Sequence, residues 1–246
     1  MILINTMSAS GGAGRTSVAI VLAQTLKDLG REVLLIQADP INMMPYQLGQ
    51  PNTEHTGLMQ VLSQDRSLRN ALLKTDSGLT YLPFGGLGHL DMEKLAQQCL
   101  IEPERILSLL RDASIADSTV VICDLPRWPS RWCDVFLSVS DLNLVLLVPD
   151  ANSMLSIDLM MSSLLKSRGA SYYLMNRFDS SHVLHLDMWT LGKMKLGHRL
   201  LPFFMHEDQS LSESFAAGTT LSQHAPQSLL AEDFFKLSNW INAELA

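Results

Sequence analysis

Charged side chains are scarce in this 246-residue sequence: Asp, Glu, Lys and Arg make up 17% of it, against roughly 25% in ordinary soluble domains. With 47% hydrophobic residues, the composition excludes a disordered chain. Only seven residues are lysine, none of them in a run, and the formal net charge is -7. Nonspecific nucleic-acid binding needs clustered cations to neutralise phosphates, so that class is excluded. The three cysteines, Cys99, Cys123 and Cys133, have no CxxC spacing. This excludes a structural zinc site and a disulfide framework. A run of about 18 apolar residues is absent, so no transmembrane helix is expected. The opening MILINTMSASGG has no leading cations, so no secretory signal is expected either. These absences point to a reduced, cytoplasmic location. Repeats, low-complexity stretches and linkers are also missing, which predicts a single domain over 1–246.

Short apolar runs alternate with segments of helical period. Strands are predicted at Ile2 to Asn5, Val33 to Gln37, Thr80 to Pro83, Thr119 to Cys123, Leu142 to Val148, Ala170 to Met175 and Arg199 to Phe203. Helices are predicted over Thr16 to Leu29, Asp91 to Arg111 with a break near Pro103, Ser153 to Ser167, His182 to Met194, Asp208 to Ala216 and Gln227 to Leu245. Unbroken apolar strands are buried on both faces. Their alternation with helices predicts an α/β fold: a doubly wound, mostly parallel sheet of about seven strands flanked by helices.

The stretch Ser8-Ala9-Ser10-Gly11-Gly12-Ala13-Gly14-Arg15-Thr16-Ser17 lies between the first strand and the first helix. Its three glycines allow a tight turn that points backbone N–H groups inward, and the helix adds the positive end of its dipole. Such a loop cradles an anion; the alternative is a glycine-rich turn with no ligand. The Thr16 hydroxyl is placed to ligate the magnesium ion that accompanies nucleotide phosphates. Asp124 ends an apolar strand, where a carboxylate is costly to bury without an ion or a hydrogen-bond partner.

This loop resembles the deviant phosphate loop of the MinD/ParA family of dimeric ATPases, whose pattern is Lys-Gly-Gly-x-Gly-Lys-Thr. The resemblance implies that ATP or ADP with Mg2+ sits on Ser10, Gly11, Gly12, Ala13, Gly14, Arg15, Thr16 and Ser17. It also marks two departures. Ser10 stands where the family has a leading lysine that reaches across the dimer, and Arg15 stands at the second lysine. The family's Asp-x-Asp pair matches Gln37 and Asp39, so Asp39 alone remains to orient water and help hold the metal. Asp124 matches the carboxylate that contacts magnesium through water. Asn176 matches the asparagine that reads the adenine edge, Leu201-Pro202-Phe203 matches the family's penultimate strand, and the resemblance implies that Arg177 and Pro202 also belong to the nucleotide site. Within the family, Tyr81-Leu82-Pro83-Phe84-Gly85, Asp124-Leu125-Pro126-Arg127, Arg199-Leu200-Leu201-Pro202 with His206 and Asp208, and Asn239-Trp240 are similar to the BcsQ branch of bacterial cellulose-biosynthesis proteins. That likeness implies a cytoplasmic accessory subunit acting as a nucleotide-linked homodimer. Its partners would be other cellulose-secretion subunits, a small companion protein such as BcsR among them, and indirectly the inner-membrane synthase.

Other residues offer weaker sites. His182 and His185, with Asp179 and Asp187 nearby, read either as a metal site or as ordinary surface histidines. Arg127, Trp128, Arg131 and Trp132 read either as a docking surface or as a loop whose tryptophans cover the core. Cys123 reads as an inert core thiol, and Met43, Met44, Met160 and Met161 as core filling or an adaptable binding face. The C-terminal segment from Ala231 is amphipathic but carries three acids and one lysine. An anionic lipid surface repels it, so it is expected to pack on the domain and not to insert in a membrane. Three functions remain open: an assembly module that holds nucleotide with little or no hydrolysis, a cycling ATPase that positions a cargo, and a scaffold that binds no nucleotide.

Overall fold

In the computed structural model, which describes residues 1–50, 56–63, 66–112 and 115–244, each of the seven apolar runs is a strand. The strands are β1 (Ile2–Met7), β2 (Val33–Gln37), β3 (Leu73–Lys74), β4 (Thr80–Leu82), β5 (Val120–Asp124), β6 (Leu142–Leu147), β7 (Ala170–Phe178) and β8 (Leu200–His206). The helices are α1 (Arg15–Asp28), α2 (Met44–Gln47), α3 (Leu58–Leu62), α4 (Leu68–Ala71), α5 (His89–Ile101), α6 (Glu104–Asp112), α7 (Arg131–Leu137), α8 (Ala151–Leu164), α9 (Val183–Leu196), α10 (Ser210–Ala216), α11 (Leu221–His224) and α12 (Leu229–Glu244).

The sheet order is β3-β4-β2-β5-β1-β6-β7-β8, and only the β3–β4 pair is antiparallel. The sheet thus has eight strands where about seven were predicted. The extra one, β3, is two residues long and too short to carry a hydrophobic period. The same reason hides the short helices α2, α3, α4, α7 and α11. The predicted break near Pro103 separates α5 from α6. Leu245, the predicted end of the last helix, lies outside the described residues.

Alternation along the strands builds two core layers. Leu3, Met7, Val121, Cys123, Val145 and Leu147 face one layer, and Ile4, Ile122, Leu144 and Leu146 face the other. In the second layer α1 packs against β1, β2 and β5 on one side and against α12 on another, so Val18, Ile20, Val21, Leu22 and Leu26 are all buried. Gly30, at φ +85°, ends α1 in the left-handed conformation that only glycine adopts without strain. Helix α12 buries Leu230, Phe234, Leu237 and Ile241 in that layer, which packs the acidic tail on the domain. Strand β1 lies centrally, where the direction of winding reverses. In such sheets ligands bind outside the carboxyl ends of the strands at this point. Thr6, Gln37 and Asp124 lie level there by register.

Candidate functional site

The loop that follows β1 has its glycines where the backbone requires them. Gly12 and Gly14 have φ of +70° and +85°, and Gly14 caps α1. A Cβ on Gly14 would stand 2.6 Å from Asn176 Nδ2. A side chain there therefore meets Asn176. Asn176 is itself buried in β7 and donates from Nδ2 to the Ala13 carbonyl at 2.8 Å. Arg177, at φ +58°, donates from Nη1 to the Gly12 carbonyl at 3.2 Å and forms a two-pronged pair with Glu207 at 2.8 and 2.9 Å. Ser10 spends its N–H on Ser8 Oγ at 3.0 Å.

Beneath the loop lies the other end of the site. Thr16 Oγ1 donates to Asp124 Oδ2 at 2.7 Å. Asp124 is fully buried, and its second oxygen, Oδ1, has no hydrogen-bond partner among the described residues. Burial raises its carboxyl to about 7; the Thr16 hydrogen bond and the Arg15 charge pull it down, and Asp39 pushes it up. An orphaned oxygen and a hydroxyl side by side are hard oxygen donors, the set a magnesium ion takes. Thr16 and Asp124 therefore fit that ion. Asp39 is already engaged: Oδ2 lies 3.4 Å from Arg15 Nη2, and Oδ1 accepts the Ile41 N–H at 3.0 Å. Arg15 also donates from Nη1 to the Leu125 carbonyl at 3.0 Å. Its guanidinium thus points toward the β2 and β5 loops. Gln37 is buried as well, with its amide oriented so that the oxygen accepts the Met43 and Met44 N–H groups at 3.1 Å each and the nitrogen donates to Asn42 Oδ1 at 3.0 Å. A glutamine in that role ties down the start of α2.

At the Asn176 end, a cavity of about 220 Å3 is lined by Gly12, Gly14, Ser17, Asn176, Arg177 and His206, with Glu207 and Asp208 at its rim. Pro202 is not brought there. It lies exposed in the edge strand β8, four residues before His206, and the register sets it beside the middle of β7. Pro202 is therefore not among the residues that line this cavity. The residues that reach the cavity instead, His206, Glu207 and Asp208, end β8 and follow it. The signal that points to them is the rule already used for Asp124: a polar residue at the carboxyl end of an apolar strand. His206 is anchored by Asp233 of α12, whose Oδ2 accepts its backbone N–H at 2.9 Å and lies 2.6 Å from Nδ1. A larger groove, about 530 Å3, lies between α1, α11 and α12 and contains none of the residues assigned to this site.

Most of the remaining candidates make contacts within the fold. Trp132 is buried edge-on to Phe84, and Trp128 is half-buried with Nε1 donating to Ser163 Oγ at 3.2 Å. Arg131 pairs with Glu93 at 3.2 Å. His182 lies 3.0 Å from Asp179, and His185 Nδ1 accepts the Asp179 N–H, so both histidines order the turn into α9; Asp187 is exposed. Cys123 is fully buried, and burial pushes its thiol well above the ordinary value. Met44 and Met160 are core residues, Met161 is half-buried and Met43 is exposed.

Known proteins share this architecture. The MinD septum site-determining protein of Pyrococcus horikoshii OT3, solved with Mg-ADP, superposes with a TM-score of 0.78 at 21% identity over 98% of this chain and 95% of that one. An ATP complex of McdA from Cyanothece superposes with a TM-score of 0.80 at 19% identity over 98% and 96%. These likenesses show the fold. In sequence, the cellulose biosynthesis protein BcsQ of Escherichia coli K12 is 27% identical over 241 residues, covering 98% of this chain and 94% of that protein. The family model described as cellulose biosynthesis protein BcsQ matches residues 1–241. By that match the chain belongs to the BcsQ family of cellulose biosynthesis proteins, built on the fold of MinD and McdA.

Proposed function

We propose that this chain is a nucleotide-binding accessory subunit of bacterial cellulose biosynthesis and secretion, one that holds ATP or ADP with Mg2+ and hydrolyses it little or not at all. The observation that carries the reading is the Thr16–Asp124 pair beneath the glycine loop, with a buried carboxylate oxygen left unpartnered. Such an oxygen is costly unless a cation completes its shell. The loop N–H groups and the start of α1 supply the anion site above it. The solved MinD and McdA relatives, which hold Mg-ADP and ATP, support the same ligand class. Bound nucleotide links two copies into a homodimer and stabilises it by mass action. That dimer works in the cytoplasm beside the inner-membrane synthase, with other cellulose-secretion subunits as partners.

Weak hydrolysis follows from how the charged groups are used. Phosphoryl transfer gains most of its rate from positioned charge. Ser10 brings none, Gln37 spends its amide on α2, and Asp39 is tied to Arg15. The test is to titrate the purified chain with ATP, with and without Mg2+, and to follow phosphate release and sedimentation in the same samples. Mg2+-dependent binding with dimer formation and little released phosphate is the expected result. Rapid turnover would replace the assembly role with a cycling ATPase, and no binding of either nucleotide would remove the site.

A further inference from the structure

Three arginines surround the glycine loop, and two of them are already paired. Arg15 faces the Asp39 carboxylate and the Leu125 carbonyl. Arg177 is held by both oxygens of Glu207. Arg127 has no carboxylate partner among the described residues. Its Nε donates to the Ala9 carbonyl at 2.7 Å, and its Nη1 stands 3.8 Å from the point where a Cβ on Gly11 would lie. The next residue fixes the segment, since the Trp128 N–H donates to the Ser8 carbonyl at 3.0 Å and its indole to Ser163. The guanidinium is therefore held over the first half of the loop. It follows Asp124 by three residues in the chain and is not among the residues that line the Asn176 cavity.

We infer that Arg127 binds the terminal phosphate of a nucleoside triphosphate and so supplies the loop charge that Ser10 lacks. This rests on the nucleotide-binding reading above and adds to it a distinction between triphosphate and diphosphate. One guanidinium nitrogen stays on Ala9 while the other two remain free, and a guanidinium fork matches phosphate oxygens well. A diphosphate, one phosphoryl group shorter, leaves those nitrogens without their partner.

The experiment compares ATP and ADP binding, each with Mg2+, by calorimetric titration of the full chain and of its Arg127→Ala, Arg127→Gln and Arg127→Lys variants. Thermal melting confirms that each variant is folded. Arg127→Gln keeps a donor beside the loop and removes the charge. The Ala and Gln changes are expected to weaken ATP binding about tenfold or more while ADP binding stays within about twofold. Arg127→Lys is expected to retain part of the ATP affinity, and Ser10→Lys added to Arg127→Ala to restore part of it. Equal losses for ATP and ADP, or no loss for either, would overturn the role of Arg127 and leave nucleotide binding standing. A parent chain that binds neither nucleotide would overturn the nucleotide reading and this assignment together.

Discussion

At the scale of single residues, Asp124 decides the most. Its folded carboxyl titrates near 7 because burial disfavours the charge, whereas an unfolded aspartate titrates near about 4. Between those values the unfolded chain has lost its proton while the folded chain keeps it. Stability contributed by this group therefore falls as pH rises from about 4 to about 7, then levels off. Asp124→Asn removes that contribution. Without Mg2+, the variant is expected to gain on the parent between pH 5 and pH 8, by on the order of a few kcal/mol. Parallel melts at the two pH values check this, and a gap that does not change with pH refutes it. The same variant is expected to lose the Mg2+-dependent part of ATP affinity. Gly14 makes the second case. An alanine there takes a left-handed backbone costing roughly 1–2 kcal/mol and meets Asn176 Nδ2. Gly14→Ala should show that loss in denaturant titration, and Gly14→Val should show a larger one together with loss of ATP binding. Thr16 and Asp124 were legible as a pair from their positions beside the loop and at a strand end. Arg15 was not, because only the fold brings Asp39 and the Leu125 carbonyl within its reach.

Among the elements, α12 matters beyond its packing. Its Asp233 is buried and holds β8 by two contacts to His206, with Lys236 Nζ 3.4 Å from its other oxygen. Asp233→Ala leaves a backbone N–H and a ring nitrogen without their acceptor, at about 1–3 kcal/mol for each buried orphan. The expected readout is a lower denaturation midpoint and faster amide exchange at His206. Unchanged exchange there would mean the tether carries no weight. Phe234, buried in the core layer that α12 shares with α1, is expected to cost roughly 3–5 kcal/mol when cut to alanine. Long elements were readable because period survives over many residues. The two-residue strand β3 and the four-residue helix α2 were not, because so short a stretch carries no helical or strand period and forms only where tertiary contacts hold it. Gln37 shows how: two of its bonds go to the backbone at the start of α2.

For the whole molecule, ligand linkage is the property to measure. A nucleotide that binds only the folded chain stabilises it by about 2.7 kcal/mol at a hundred times its dissociation constant. The melting temperature is therefore expected to climb with ATP concentration when Mg2+ is present, and to depend on protein concentration if the dimer forms. A melting temperature unmoved by saturating ATP would contradict the proposed function. The alternation of apolar runs and helical periods by itself determined the doubly wound sheet, its buried strands and the place of the loop, since these are set by local pattern and chain handedness. It also placed the oxygen donors Thr16 and Asp124. Which charges are free and which are spent was decided only by the tertiary structure. Ion pairs such as Arg15–Asp39 and Arg177–Glu207 join residues 24 and 30 positions apart, and the level at which β8 meets β7 brings His206 and not Pro202 to the cavity. Sequence spacing carries no distance between such groups; packing the layers on one sheet creates it.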